Sequence, residues 1–141
     1  MMRLPVMLRS VWFELNRNFR TKLEDSSITS VQYTVLRCIF EKNVKEISQN
    51  ELAEMVSSNE NNLVSVLQRL EKLELVQRRR SPKDSRCKLV FMTDKGVSEF
   101  LRAQKKATQV KEEIANGLAD EELDSLIGFL ERIEANLIEL K

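Results

Sequence analysis

The sequence predicts a mainly α-helical fold in which two short capped helices lead into a small basic hairpin, with long amphipathic helices before and after. Three observations predict it. Ser48-Gln49-Asn50-Glu51 and Ser57-Ser58-Asn59-Glu60 both have the pattern of a capping box, and each opens an apolar run at helical spacing. A polar segment centred on Pro82 separates two strand-like runs. Apolar residues recur at three- and four-residue steps near both ends of the chain. In that order these are the parts of a winged helix-turn-helix: a mainly α fold with a small β-hairpin wing and N- and C-terminal dimerisation helices. Only 3 Gly and 2 Pro among 141 residues agree with long helices and few turns.

The first stripe is Leu8, Val11, Trp12, Leu15, Phe19 and Leu23, broken by Asp25-Ser26-Ser27. A second helix is expected from about Ser30 to Lys42, with Val31, Val35, Leu36, Ile39 and Phe40 inward and Thr29 or Ser30 as its cap. The Ser48 box opens a short helix faced by Leu52, Ala53, Met55 and Val56. The Ser57 box opens a longer one faced by Leu63, Val66, Leu67, Leu70 and Leu73. The runs Leu75 to Arg80 and Cys87 to Met92 suit strands, and Pro82 suits the second position of the turn between them. Thr93 caps a helix running to about Asn116, with Val97, Phe100, Leu101 and Ala107 inward, and Gly117 ends it. The last helix, about Asp120 to Leu140, carries Leu123, Leu126, Ile127, Leu130, Ile133, Leu137 and Leu140 at nearly heptad spacing.

These elements divide the chain into an N-terminal helix (residues 1–27), a winged helix-turn-helix lobe (28–93) and C-terminal helices (94–141). The terminal stripes exceed what so small a lobe can cover. Leu8, Val11, Leu15, Leu123, Leu126, Leu130, Ile133 and Leu137 are therefore expected at an interface between two copies of the chain. The other arrangement packs the two stripes on each other within one chain.

Composition narrows the function classes. Histidine is absent, which removes the commonest general base and the commonest metal ligand. No glycine-rich phosphate loop and no cysteine pair with zinc spacing occurs, so the reading is of a binding protein with no metal and no cofactor rather than an enzyme. No apolar run reaches membrane-spanning length and no leader is read. With two cysteines only, a reducing cytoplasmic setting is expected. Net charge is +1, but it is unevenly placed. Residues 77–88 hold six basic residues against Asp84, and residues 111–141 hold nine acidic against three basic. A basic centre and an acidic tail suit a chain with one face toward nucleic acid.

Ile47-Ser48-Gln49-Asn50-Glu51-Leu52-Ala53, Leu70-Glu71-Lys72-Leu73-Glu74-Leu75-Val76, Asp84-Ser85-Arg86 and Met92-Thr93-Asp94-Lys95-Gly96 resemble the successive signatures of the MarR family of bacterial transcription regulators. The resemblance covers Ile28 to about Phe100, with the flanking helices matching by position and pattern. It implies a two-fold homodimer joined through its terminal helices, acting on double-stranded DNA with a near-palindromic operator as a ligand-responsive repressor. Two positions depart from the family pattern. Glu74 stands where the family usually has Gly, which predicts strain at the end of the second short helix. Ser65 stands where the family often has Arg.

Under this reading the second short helix enters the major groove. It presents Asn59, Asn61, Asn62, Ser65 and Gln68 toward bases and Arg69 toward a phosphate. Ser48 and Gln49 lie at a helix N-terminus, which favours an anion. At the wing, Arg86 suits a narrow minor groove, Asp84 would hold its guanidinium in a fork, and Arg79, Lys83 and Lys88 suit phosphates, with Arg78 and Arg80 adding charge. The resemblance further implies a small aromatic ligand, for which Trp12, Tyr33 and Arg37 are candidates, although Trp12 lies on a helix stripe where core packing accounts for it. Cys38, among Leu36, Ile39 and Phe40, reads as a buried inert thiol. Cys87, between Arg86 and Lys88, leaves a thiol-responsive regulator as an alternative, and a winged-helix module that binds protein is another.

Overall fold

The computed structural model describes residues 3–42, 46–56 and 60–140, with the backbone alone at 60 and 61. Six helices and three strands run in the order α1 (Arg3–Lys22), α2 (Ser30–Glu41), β1 (Ile47–Ser48), α3 (Gln49–Met55), α4 (Glu60–Lys72), β2 (Val76–Arg80), β3 (Lys88–Met92), α5 (Asp94–Ala115) and α6 (Asp120–Glu139). The chain forms two compact units, residues 1–107 and 108–141, and α5 passes from one into the other.

Local chemistry explains the boundaries. Thr29 caps α2: its hydroxyl accepts from Gln32 N (3.2 Å), and the Gln32 side chain accepts from Thr29 N (3.0 Å). The Ser48 box is only half formed. Ser48 Oγ accepts from Glu51 N (3.1 Å), but the Glu51 carboxylate reaches Lys42 instead (2.8 Å). The Ser57 box lies outside the described residues. The wing is a three-stranded antiparallel sheet in the order β1-β3-β2, with Val90 of β3 opposite both Ile47 of β1 and Arg78 of β2. Strand β1 is absent from the sequence expectation because two residues give no alternation to detect.

The core of the first unit is built from Leu36 and Ile39 of α2, Leu52 of α3, Leu63, Leu67 and Leu70 of α4, Val76, Val90, and Phe100 and Ala103 of α5. Burying each large side chain of this kind contributes about 1.5–3 kcal/mol. The α1 stripe divides. Phe19 and Leu23 join this core, while Leu8, Val11 and Trp12 stay exposed. Five inward assignments are corrected. Val31, Phe40, Met55, Leu73 and Leu101 are exposed, since the core takes neighbouring positions on each helix, Val35 and Ile39 on α2, Leu52 on α3, Leu70 on α4 and Ala103 on α5 among them. In the second unit, Gly117 takes φ 82, and the Glu122 carboxylate accepts from Ala119 N (2.9 Å) at the start of α6. Asp120, Glu121 and Glu122 lie in that first turn, where negative charge complements the helix dipole. Leu126, Ile127, Phe129, Leu130, Leu137 and Ile138 of α6 are exposed.

The end of α4 has a definite architecture. Leu75 N donates to Leu70 O and Glu74 N to Glu71 O, both at 2.9 Å, which is a Schellman turn. The turn requires a left-handed residue, and Glu74 takes φ 62, alone among the described non-glycine residues. The start of α5 clamps it. Thr93 Oγ1 donates to Glu74 O (2.6 Å), Thr93 N to Leu75 O (3.0 Å), and Lys95 Nζ to Leu73 O (3.1 Å). Thr93 Oγ1 also accepts from Gly96 N (2.9 Å), so the residue that closes one helix caps the next. Gly96 allows this approach: a Cβ there would lie 2.0 Å from Leu75 O.

Two substitutions test this turn. Glu74→Gly should raise stability by about 1 kcal/mol, because it removes the steric cost of a Cβ in the left-handed region. Gly96→Ala should lower it by more than that, since backbone must shift to admit the methyl. Urea or thermal melts of the two variants beside the parent give both signs.

Candidate nucleic-acid interface

Helix α4 has two faces. Leu63, Leu67 and Leu70 are buried, while Asn62, Ser65, Gln68 and Arg69 point outward. Asn62, Ser65 and Arg69 follow one another at helical steps and, with Val31, Thr34 and Val35 of α2 and Val56, line a groove of about 500 Å³. Asn59 and the side chain of Asn61 lie outside the described residues.

The N-terminus of α3 differs from its expected role in one respect. Ser48 is partly exposed and spends its oxygen on the cap. Gln49 is 8% exposed, and its Oε1 accepts from Arg78 Nη1 at 3.4 Å, so its side chain is turned into the lobe.

The wing separates its cations by strand parity. Arg78 shares the face of Val76, the face that enters the core, and its side chain is only 15% exposed. A charge in that position needs a partner. It finds Glu71 of α4, with Nε at 2.7 Å and Nη2 at 2.6 Å from Oε1. Arg79, on the opposite face, pairs with Glu46 (2.5 Å) and lies over the Phe91 ring at 5.4 Å. The expectation that Arg78 adds free charge is corrected: it is tied internally. Among the described residues no ion pair holds Arg80, Lys83 or Lys88.

At the tip, Asp84 organises the turn. Its Oδ1 accepts from Arg86 N (3.0 Å), its carbonyl accepts from Cys87 N (2.9 Å), and Cys87 O accepts from Ser81 N (2.8 Å). Ser81 Oγ accepts from Lys83 N (3.2 Å). The Asp84–Arg86 pair is a single Nε contact at 3.5 Å rather than the expected fork, and the Arg86 side chain is 93% exposed. Arg86 therefore projects from a shaped turn with its guanidinium free to engage.

The three residues suggested for an aromatic ligand lie in different settings. Tyr33 is buried, stacked on Phe100 (5.2 Å, 17°) and edge-on to Phe19 (5.2 Å). Burial raises its pKa, against the nearby Arg37 cation. Arg37 is exposed and 3.8 Å from Glu41. Trp12 is 65% exposed, so the core packing expected of it is not found within this chain. Both cysteines are free: Cys38 is buried, and burial raises its pKa, while Cys87 is partly exposed. Among the described residues no three His, Cys, Asp or Glu side chains could jointly hold a metal ion, and no helix is long and apolar enough to cross a membrane.

Sequence reasoning missed the Glu71–Arg78–Gln49 cluster. The parity of β2 carried the signal: with Val76 in the core, Arg78 two residues on must face the same way.

Comparison with known proteins agrees with this geometry. The MarR family model matches residues 28–88. A mutant of E. coli MarR in complex with operator DNA superposes with a TM-score of 0.85 at 24% identity, covering 93% of each chain. The transcriptional repressor CouR, bound to a 23-mer DNA duplex, superposes with a TM-score of 0.83 at 27% identity, covering 93% of this chain and 92% of its own. The S. aureus MepR–DNA complex gives a TM-score of 0.87 at 20% identity, over 94% and 96% of the two chains. The chain thus resembles the MarR family over its winged lobe, and its fold is similar to that of the MarR, CouR and MepR chains in these DNA complexes.

Proposed function

We propose that the chain is a sequence-specific, double-stranded DNA-binding transcription regulator, a ligand-responsive repressor that works as a homodimer in the cytoplasm and catalyses no reaction. One observation carries the reading: the exposed polar strip of α4 is fixed beside a wing on which, among the described residues, no ion pair holds Arg80, Lys83 or Lys88, and Arg86, 93% exposed, has a single 3.5 Å contact with Asp84. The E. coli, CouR and MepR structures of the same fold hold DNA. DNA binding by BpsR of Bordetella bronchiseptica, which superposes with a TM-score of 0.82 at 21% identity, is regulated by 6-hydroxynicotinic acid, which supports a small aromatic effector here.

In this reading Asn61, Asn62, Ser65 and Gln68 meet base edges. Arg69, Lys83 and Lys88 meet phosphates, and Arg86 enters the minor groove. Asn59 remains a candidate base contact, and Ser48 sits at the start of α3, where backbone N–H groups favour a phosphate. Arg79 must loosen from Glu46 to join them. The lobe (28–93) supplies these contacts, and segments 1–27 and 94–141 join the two copies. Exposed Leu8, Val11 and Trp12 on α1, and exposed Leu126, Leu130 and Leu137 on α6, support that division, because apolar faces of this length seek a partner.

Three outcomes are expected. Leu130→Glu should convert the dimer to monomer or unfold it, since an unpaired buried charge costs on the order of 3–5 kcal/mol. Sedimentation at micromolar concentration reads this, and a stable wild-type monomer would remove the dimer. Second, affinity for a duplex with two half-sites about one helical turn apart should fall steeply with salt, and single strands should bind poorly. Third, Arg86→Ala should weaken specific binding by about 1–3 kcal/mol with the melting curve unchanged, and Arg86→Lys should restore it only in part. Unchanged affinity in the Ala variant would take Arg86 out of the interface.

A further inference from the structure

Arg78 is a cation in the middle of a basic wing, yet the structure directs it away from solvent. Its row of the sheet is the central one, with Val90 and Ile47 beside it, and Gln49 lies two residues beyond Ile47. Its guanidinium joins three elements: β2, on which it sits; α4, through Glu71 at 2.6 and 2.7 Å; and α3, through Gln49 at 3.4 Å. Glu71 occupies the last turn of α4, and the chain passes from there to β2 through the Schellman turn at Leu73 to Leu75. Thr93 and Lys95 clamp that turn at its backbone. The cluster adds a side-chain link across it, seven residues from Glu71 to Arg78.

We propose that Arg78 and Glu71 are positioning residues for DNA recognition: their ion pair, braced by Gln49, holds α4 and the wing at the mutual angle at which both engage one duplex. The inference rests on the reading that α4 and the wing bind DNA. It assigns an acidic residue, Glu71, a favourable role at a surface where charge alone would make it harmful. A wing arginine that touched a phosphate would contribute to counterion release; this one contributes alignment.

The two roles differ in sign and in salt dependence. The probe is a duplex selected by the wild-type protein from a random-sequence pool, and affinities of full-length variants are measured from 50 to 300 mM salt, roughly the span over which phosphate contacts declare themselves. Glu71→Gln and Arg78→Gln should each weaken binding by about tenfold, as for loss of a partly buried pair, with the log–log salt slope unchanged. Arg78→Lys, which keeps the charge and loses the fork, should also weaken it at constant slope. The exchange Glu71→Arg with Arg78→Glu should recover part of the loss, giving a non-zero coupling in the cycle. Melting curves accompany each variant. If a glutamine variant melts below the assay temperature, the Arg78→Lys comparison decides.

Tighter or equal binding by Glu71→Gln would overturn the proposal, since a bystander carboxylate near DNA only repels. A salt slope reduced by about one unit in the Arg78 variants would also overturn it and make Arg78 a phosphate contact. If the wild-type protein selects no duplex, the DNA-binding reading itself fails. That outcome differs from failure of the positioning role, which appears only among the variants of a protein that binds.

Discussion

The turn from Leu73 to Leu75 is the constraint on which the rest of the lobe depends. It stops α4, reverses the chain into β2 and receives the start of α5, all within a few residues. Three successive carbonyls there, of Leu73, Glu74 and Leu75, accept from Lys95, Thr93 Oγ1 and Thr93 N. Those donors come from the segment after the wing, so the hairpin is closed at its base by the same contacts that cap α5. Gly96 makes the approach possible, and Leu70, Leu75 and Phe100 pack the apolar side. A helix whose outward face is polar gains much from such closure, because that face offers no apolar support.

Much of the architecture was legible because it is periodic or capped locally. The leucines of α4 recur at helical steps, Thr29 or Ser30 and the pair Ser48 with Glu51 mark helix starts, and Gly117 marks a stop. The wing follows from the apolar run of β3 and from the proline turn that separates it from the basic run of β2. The motif Thr93-Asp94-Lys95-Gly96 was recognisable as a signature, but its physical meaning, three donors and one close approach onto a distant turn, requires the fold. Glu74 was read as strained from its place in the pattern, and its positive φ agrees.

The illegible parts depend on pairing across the chain. Strand β1 is too short to carry a period, and it exists because β3 offers it a partner. The arginines 78, 79 and 80 look alike in sequence. Strand parity and the neighbours Glu71, Glu46 and Phe91 give two of them structural work and leave the third outward. Gln49 looked available at a helix start but is drawn inward by Arg78. The α1 stripe read as one face, yet Phe19 and Leu23 enter the core while Trp12 does not, because burial along a helix ends where the lobe ends.

The strand order β1-β3-β2 leaves β2 with a neighbour on one side only. Its other side carries backbone donors and acceptors that a second chain could pair with, and such edges seed aggregation. Of the three arginines on this strand, Arg78 is tied to Glu71 and Arg79 to Glu46, while Arg80 is exposed opposite Lys88, and the opposite edge strand is two residues long. The charge concentrated on the wing therefore also acts between molecules of the protein itself. Arg80 and Lys88 at the end of the strand pair repel an approaching copy, which disfavours edge-to-edge pairing there.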